Sequence, residues 1–214
     1  MGMDLLPPHP VQFQGSGLAL WVLRLLGWRV DFEGLPTRQG VIVVYPHTSN
    51  WDFVIGILMK WAVGISVQFW SKDTLFRTPL FSAWLRWVGG VPISRSAPQG
   101  TVGQMAALMQ QKKARGEYFW LALAPEGTRR RTKGWRSGFY RLALAADVPV
   151  GLAGPDYSRK RLVFLDFVRL TGDQDHDLPR MALSLQDCRG WHQERAAPVR
   201  LINSGRPQAD IIVK

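Results

Sequence analysis

Short apolar runs that are rich in β-branched residues alternate with helical patterns along most of this chain, and this alternation limits the fold more than any other feature. Buried strands are predicted at residues 41–45 (Val-Ile-Val-Val-Tyr), 66–70, 118–123, 148–153 and 162–167. Helices are predicted at residues 53–63, 80–88, 100–115 and 137–146, with a last one near 178–188. Strands that alternate with helices indicate one α/β domain whose mixed, mainly parallel central sheet is flanked by helices.

The first predicted strand runs into a polar corner. Pro46 ends the strand, His47 lies in the turn, and Asp52 falls in the first turn of the next helix, where the helix dipole favours a carboxylate. On a regular helix this spacing leaves the two side chains about 140° apart, and on a strand it places them on opposite faces. A strand-to-helix corner can bring them together, and an imidazole oriented by a carboxylate is a general base. The alternative is a helix-start acid and an unrelated loop histidine.

A second polar cluster follows the strongly apolar strand at 118–123. It begins with Glu126, Gly127, Thr128 and Arg129, and Arg129 opens a basic run of four arginines and one lysine that ends at Arg136. The loops after strands of open α/β sheets are where sites form, so this cluster and the His47 corner are expected at one edge. Such a basic run is usually a solvated surface, but beside a His–Asp pair it is a candidate phosphate site.

The composition favours an anionic partner at a lipid interface. The net charge is +11 and the pI is about 10.5, which suits nucleic acid, anionic lipid or a phosphorylated substrate. Ten tryptophans and ten phenylalanines favour lipid, although many of these rings belong in a core. The single cysteine, Cys188, excludes a disulfide framework and any Cys-rich metal site. His176 stands among acidic residues without the spacing of a metal motif, so no metal is expected.

The N-terminal part of the chain contains a candidate membrane anchor. The apolar segment 17–28 is shorter than the ~20 residues that span a bilayer and contains Arg24. A helix here would lie in the membrane interface or pack in the core. We therefore expect residues 1–36 to form an N-terminal segment with a short membrane-associating helix, and residues 37–214 to form the main domain.

Four short blocks in this chain resemble those of the glycerolipid acyltransferases, and in particular the 1-acyl-sn-glycerol-3-phosphate acyltransferase family. The blocks are His47-x4-Asp52, Gly90-x-Pro-Ile-x-Arg95, Glu126-Gly-Thr-Arg129 and Val148-Pro-Val150, in the family's order and rough spacing over residues 40–153. The first and third are individually short, but together, each after an apolar strand, they are a specific signal. One departure is Ser94, where the family often carries an acidic residue, and this affects the acceptor contacts.

The resemblance implies a reaction and assigns roles to these residues. His47 would act as general base on an acceptor hydroxyl, Asp52 would orient and charge the imidazole, and an acyl thioester would be attacked without a covalent acyl-enzyme. Arg95 and Arg129 would hold an acceptor phosphate in a pocket shaped by Glu126 and Gly127. The whole Glu126–Arg129 block, with Thr128, is therefore assigned to substrate binding, and Lys72 and Lys133 are added for their charge and placement. Backbone N–H groups after Pro46 are candidate oxyanion donors.

The implied function is transfer of a fatty acyl group to a lysophospholipid hydroxyl, most simply of 1-acylglycerol-3-phosphate to give phosphatidate. The alternatives are a phosphate-free lysolipid acceptor, or a lipid transacylase or hydrolase that uses the same His–Asp site. The donor is expected to be acyl-CoA or acyl carrier protein, with no bound cofactor. The expected location is the cytoplasmic face of a membrane, the inner one in a bacterium, as a peripheral or monotopic protein on an anionic surface. No nucleic-acid module is visible, so no nucleic acid partner is expected.

Overall fold

The central element is a sheet of seven strands. The computed structural model of the chain describes residue 11, residues 13–93 and residues 98–202. In that part of the chain the strands are β1 (Arg29–Asp31), β2 (Gln39–Val44), β3 (Val67–Lys72), β4 (Gly90–Ile93), β5 (Phe119–Leu123), β6 (Val150–Asp156) and β7 (Arg161–Val168). Their order is β1-β7-β6-β2-β5-β3-β4, and every neighbouring pair is parallel except β6 with β7. The predicted mixed, mainly parallel sheet is therefore confirmed.

Helices cover both faces of this sheet. They are α1 (Gly17–Leu25), α2 (Trp51–Val63), α3 (Pro79–Trp87), α4 (Pro98–Ala114), α5 (Gly138–Ala146) and α6 (Gln174–Leu185), with short 3-10 helices at Asp73–Phe76 and Gln193–Arg195. Alternate residues of β2 point to opposite faces, as a strand requires. Val41 and Val43 pack in the main core with α4, α5 and α6, whereas Ile42 and Val44 face α2.

Local sequence explains where α2 stops, which fixes the start of β3. Gly64 follows the last helical residue with φ +77, and its N–H donates to the carbonyls of Lys60 and Trp61. A Cβ atom there would lie 2.5 Å from the Gln14 carbonyl oxygen, so only glycine fits both the left-handed conformation and the space.

Three elements differ from the sequence prediction. No strand was predicted at residues 29–31, but they form β1, which pairs with β7 at the sheet edge. No strand was predicted at residues 90–93 either, yet Gly90–Ile93 forms the opposite edge strand, where a proline is tolerated. The last helix was predicted near residues 178–188, but α6 begins at Gln174, and Asp177 in its first turn is fully buried.

A helix does form in the predicted anchor segment, as α1, and it packs on α2. No helix in the described part of the chain combines the length and the apolar character needed to cross a bilayer. Membrane association of α1 and the division of the chain at residue 36 remain predictions.

Candidate active site

His47 and Asp52 meet at the corner between β2 and α2. Nδ1 of His47 lies 3.2 Å from Oδ2 of Asp52, and the two side chains are 20% and 1% exposed. With Asp52 ionised, Nδ1 carries the imidazole proton and Nε2 is left with a lone pair. The predicted turn-and-helix arrangement is confirmed, and it gives a partly exposed imidazole beside a buried carboxylate.

Asp52 is held by four hydrogen bonds. Its Oδ2 accepts from the N–H groups of Thr48 (2.7 Å) and Ser49 (2.8 Å) as well as from His47, while Oδ1 accepts from the hydroxyl of Tyr157 (2.8 Å). Burial alone would raise the pKa of Asp52, but the bonds from His47, Ser49 and Tyr157 outweigh it and hold that pKa below its usual value. The carboxylate therefore stays ionised and fixed in one orientation.

Tyr157 is a site residue that the sequence analysis missed. It follows β6 directly, and its ring packs edge-on against Trp28 and Trp191 at centroid distances of 4.9 and 5.3 Å. Burial raises the pKa of its hydroxyl and the Asp52 carboxylate raises it further, so the hydroxyl remains a donor. Its 105-residue separation from Asp52 left no local signal by which to find it.

The Glu126 carboxylate is hydrogen-bonded to the backbone of the His47 turn. Its Oε2 accepts from the backbone N–H of His47 (2.6 Å) and its Oε1 accepts from the N–H of Ala197 (2.9 Å), and the side chain is 2% exposed. Burial raises the pKa of Glu126, and the N–H donors of Ala197 and His47 offset only part of that rise. These contacts support a positioning role, while its assignment to an acceptor pocket remains a prediction.

The C-terminal segment 189–197, to which the sequence analysis gave no role, supports the site. Besides the Ala197 contact, the carbonyl of Arg189 accepts from the N–H of Tyr157 (2.8 Å), and the N–H of His192 donates to Oγ1 of Thr48 (3.2 Å). These three backbone groups bind Glu126, Tyr157 and Thr48, and each of those residues is hydrogen-bonded to His47 or Asp52. The segment therefore fixes the site through main-chain contacts, which carry little sequence signature.

The predicted phosphate-binding residues lie at the same carboxyl edge. Glu126 follows β5, Lys72 ends β3, and Arg129 and Lys133 are exposed in the loop after Glu126. No acidic side chain among the described residues pairs with Arg129 or Lys133. Arg95 lies outside the described residues.

The loop after Glu126 has its own fixed conformation. Gly127 has φ +66, and a Cβ atom there would lie 2.7 Å from Nε of Arg136, so this turn needs glycine. Oγ1 of Thr128 accepts from the N–H of Arg130 (3.3 Å), which contributes to the same turn.

A cavity of about 200 Å³ runs between α2 and the sheet from His47 and Asp52 toward Lys60. Its walls are largely apolar, and small residues on both sides leave the space open: Gly56 on α2, and Ala122, Ala124, Ala153 and Gly154 on and after the strands. Asp52 and Lys60 are eight residues apart on α2, so the stretch of cavity wall between them is about 12 Å long. Nζ of Lys60 donates to the Val88 carbonyl at its far end (2.6 Å), and burial lowers the pKa of this lysine.

The structure corrects one expectation about the oxyanion. The N–H of His47 is bound by Glu126, and those of Thr48 and Ser49 are bound by Asp52. These three groups are therefore not available as oxyanion donors. Within the described ranges, no three His, Cys, Asp or Glu side chains come close enough together to hold a metal ion.

The fold and the site define an α/β protein with a histidine–carboxylate centre at the carboxyl edge of its sheet, beside an apolar cavity. The acyltransferase family model matches residues 29–151, which is more than half of the chain, and the chain belongs to that family. The resemblance drawn from the four sequence blocks is thereby confirmed at the level of the family, and acyl transfer is the reaction class that this membership supports.

One solved structure is similar to the chain: the crystal structure of the 1-acyl-sn-glycerophosphate (LPA) acyltransferase PlsC from Thermotoga maritima. The identity is 20%, the TM-score is 0.41, and the alignment covers 63% of this chain and 53% of that one. The match thus spans about half the length of the Thermotoga protein. Among curated proteins, none matches the chain.

Proposed function

We propose that this protein is an O-acyltransferase that moves a fatty acyl group from a thioester donor to the hydroxyl of a lysophospholipid, with 1-acylglycerol-3-phosphate as the acceptor. The observation that carries the proposal is the His47–Asp52 pair at the mouth of an apolar cavity, in a chain of the acyltransferase family. Neither Thr48, which is buried, nor Ser49 stands on a nucleophile elbow, so direct transfer fits better than a covalent acyl-enzyme.

The chemical step follows from the geometry of the pair. Nε2 of His47 takes the proton of the acceptor hydroxyl while its oxygen attacks the thioester carbonyl carbon. The resulting imidazolium is stabilised by the Asp52 carboxylate on Nδ1. When the tetrahedral intermediate collapses, the carbon–sulfur bond breaks and the thiolate receives the proton from His47. The products are an ester and a free thiol, with no redox change.

The acyl chain would occupy the cavity between α2 and the sheet. An extended chain advances about 1.25 Å per methylene, given a carbon–carbon bond of about 1.5 Å. The stretch between Asp52 and Lys60 therefore holds roughly ten methylenes. Because Gly56 faces open space, the width of the cavity depends on the absence of a side chain there.

The acceptor phosphate would bind at the basic loop. Arg129 and Lys133 are exposed and carry no ion pair within the described residues, so both are free to meet an anion. Lys72, at the end of β3, and Arg95, by resemblance, complete the proposed set. The donor is acyl-CoA or acyl carrier protein, supplied as a substrate rather than held as a cofactor.

The test is acyl transfer from a labelled acyl thioester to a panel that includes 1-acylglycerol-3-phosphate and a phosphate-free lysolipid, with thiol release and free fatty acid measured together. The proposal expects ester formation matched to thiol release, with the phosphate acceptor preferred. Arg129→Ala should raise the KM for that acceptor by about tenfold or more, because charge-assisted hydrogen bonds are lost. Arg180→Ala, an exposed arginine on α6, is the control that should change nothing.

Each other outcome points to a different function. Thiol release matched by free fatty acid would indicate a hydrolase. Transfer only to the phosphate-free lysolipid would keep the His47–Asp52 chemistry but remove the phosphate role of Arg129. Transfer that does not consume the thioester would indicate a transacylase.

A further inference from the structure

Most of the exposed large apolar side chains among the described residues lie on one side of the molecule. On α1 they recur at helical spacing, with Leu18 71%, Trp21 57% and Leu25 66% exposed. On α3, Leu80 and Trp87 are 89% and 72% exposed. Further exposed members lie on α3, on α2 and in the segments next to α1 and α3: Phe81, Trp84, Trp51, Val54, Leu26 and Leu75. We call these eleven side chains the outer helical surface.

The two helices pack on opposite sides of α2, so the three helices form one layer that carries most of these side chains. Leu23 of α1 packs with Ile55 of α2, while Leu85 of α3 packs with Ile57. Ile55 and Ile57 are two residues apart, or about 200° around the helix, which places α1 and α3 on opposite sides of it. Trp51 and Val54 of α2 are exposed in this layer.

The surface is rimmed by basic residues. Arg24, Lys72, Arg77 and Arg86 are exposed in or next to α1 and α3, and among the described residues of these segments the exposed acid is Asp73. Such a large apolar patch is uncommon on a soluble monomer and marks an interaction site. A second copy of the chain would bring like charges together at this rim, whereas anionic headgroups would complement it.

We propose that the outer helical surface binds the headgroup region of an anionic phospholipid bilayer, and that α3 inserts alongside α1. Tryptophan side chains are stable at that depth, and interfacial helices of this kind lie in the membrane plane. The sequence analysis predicted a membrane anchor in the segment that forms α1. A second contact through α3 fixes the orientation of the domain on the membrane as a peripheral or monotopic protein.

This orientation places the active site next to lipid. Trp51 of the surface precedes Asp52 in the chain, and Phe53 lines the cavity while its ring lies 6.1 Å from that of Trp84. The surface therefore borders the cavity wall. The benefit of this arrangement for lipid substrates rests on the proposed function, but the binding itself does not.

The test is cosedimentation of the full chain with vesicles of phosphatidylcholine, with or without phosphatidylglycerol. Binding should be stronger with phosphatidylglycerol and should fall as salt rises. Leu80→Ser/Trp87→Ser should weaken partitioning into vesicles by about tenfold or more, because moving even one such side chain from an apolar environment into water changes the partition coefficient by about that factor. Leu18→Ser/Leu25→Ser should do the same through α1.

Leu144→Ser/Leu183→Ser is the matched control, because it replaces two exposed leucines on α5 and α6, on the other face of the sheet. The proposal is overturned if the α3 variant binds vesicles as tightly as the wild type, or if the control loses as much binding. A wild-type dimer that the α3 variant dissociates, without vesicle binding, would assign the surface to a second copy instead.

The same proteins separate this inference from the proposed function. With a short-chain thioester and a monomeric lysolipid in solution, the α3 variant should retain wild-type transfer. Loss of that transfer in the folded variant would count against a purely membrane-binding role for α3. If neither the wild type nor any variant transfers acyl groups but vesicle binding follows the pattern above, the membrane-binding role of the outer helical surface is supported and the proposed function is refuted.

Discussion

Replacing Tyr157 by phenylalanine should lower turnover without weakening substrate binding. The change deletes one hydroxyl, which donates to Oδ1 of Asp52 at 2.8 Å, and keeps the ring that packs between Trp28 and Trp191. Tyr157 does not act on substrate in this account; it positions Asp52, which positions His47. We expect kcat to fall by about tenfold, equivalent to ~1.4 kcal/mol, and KM to remain close to its wild-type value.

The magnitude follows from the hydrogen bonds that remain. A hydrogen bond to a charged group contributes about 1.5–3 kcal/mol, and Asp52 keeps its bonds from Thr48, Ser49 and His47. Tyr157→Phe should therefore lower the free energy of unfolding by about 1.5 kcal/mol, the lower end of that range. The bond also helps to hold the pKa of Asp52 down, so its removal raises that pKa.

The pH dependence has a definite sign. A carboxyl whose pKa is depressed by folding stabilises the protein above its unfolded pKa, and this stability is lost as pH falls through the folded pKa. The destabilisation caused by Tyr157→Phe should therefore be full at neutral pH and shrink in acid, where Asp52 is protonated in both proteins. Urea unfolding measured from neutral pH downward tests this.

The chain contains a matched control for this experiment. The hydroxyl of Tyr140 donates to Oδ2 of Asp177 at 2.7 Å, which is the same type of bond to a buried carboxylate, but between α5 and α6 on the other face of the sheet. Tyr140→Phe should lose comparable stability and keep wild-type kcat. A Tyr157→Phe protein with wild-type kcat, or one whose kcat falls no more than that of Tyr140→Phe, would refute the positioning role.

Two further predictions use the cavity and the buried thiol. Gly56→Leu should gain about 0.5–1 kcal/mol of stability, because glycine is a poor residue inside a helix and no atom lies within 4 Å of the added Cβ. The new side chain would fill the cavity, so transfer of long acyl chains should fall at least tenfold while transfer of short chains persists. Gly103→Leu in α4 is its control in a chain-length assay, and equal activity of both variants would contradict the cavity assignment. Burial, and to a smaller extent the charges of Asp156 and Asp187, raise the pKa of the Cys188 thiol to about 11. A thiol reagent at pH 8 should therefore label the unfolded protein but not the native protein. Rapid labelling of the native protein would contradict the burial of this thiol.

The sequence predicted those parts of the structure that depend on local pattern. The strand before His47 and the helix that carries Asp52 could be recognised because β-branched residues, a proline and a helix-start acid follow one another within twelve residues. The Glu126 block could be placed at the same edge because parallel strands end together. The pairing of His47 with Asp52 followed from these two elements.

The parts that were missed depend on contacts between distant residues. Tyr157 and Ala197 reach the site through the sheet topology and through the C-terminal segment, neither of which has a local pattern. The early start of α6 did have a signal, because Asp173 caps the helix and acids follow in its first turn. Pro179 obscured it, since a proline inside a helix normally marks an end.

The most direct test of the account is turnover by His47→Ala protein compared with wild type, using a labelled acyl thioester and 1-acylglycerol-3-phosphate and following ester and thiol together. The imidazole lies partly exposed in a turn and donates one of the four hydrogen bonds to Asp52, so the variant should lose about 1.5 kcal/mol of stability and remain folded without urea. The account predicts that its kcat falls by about a hundredfold or more, as expected when a general base is removed. Folded His47→Ala protein that forms ester at the wild-type rate would contradict the central claim.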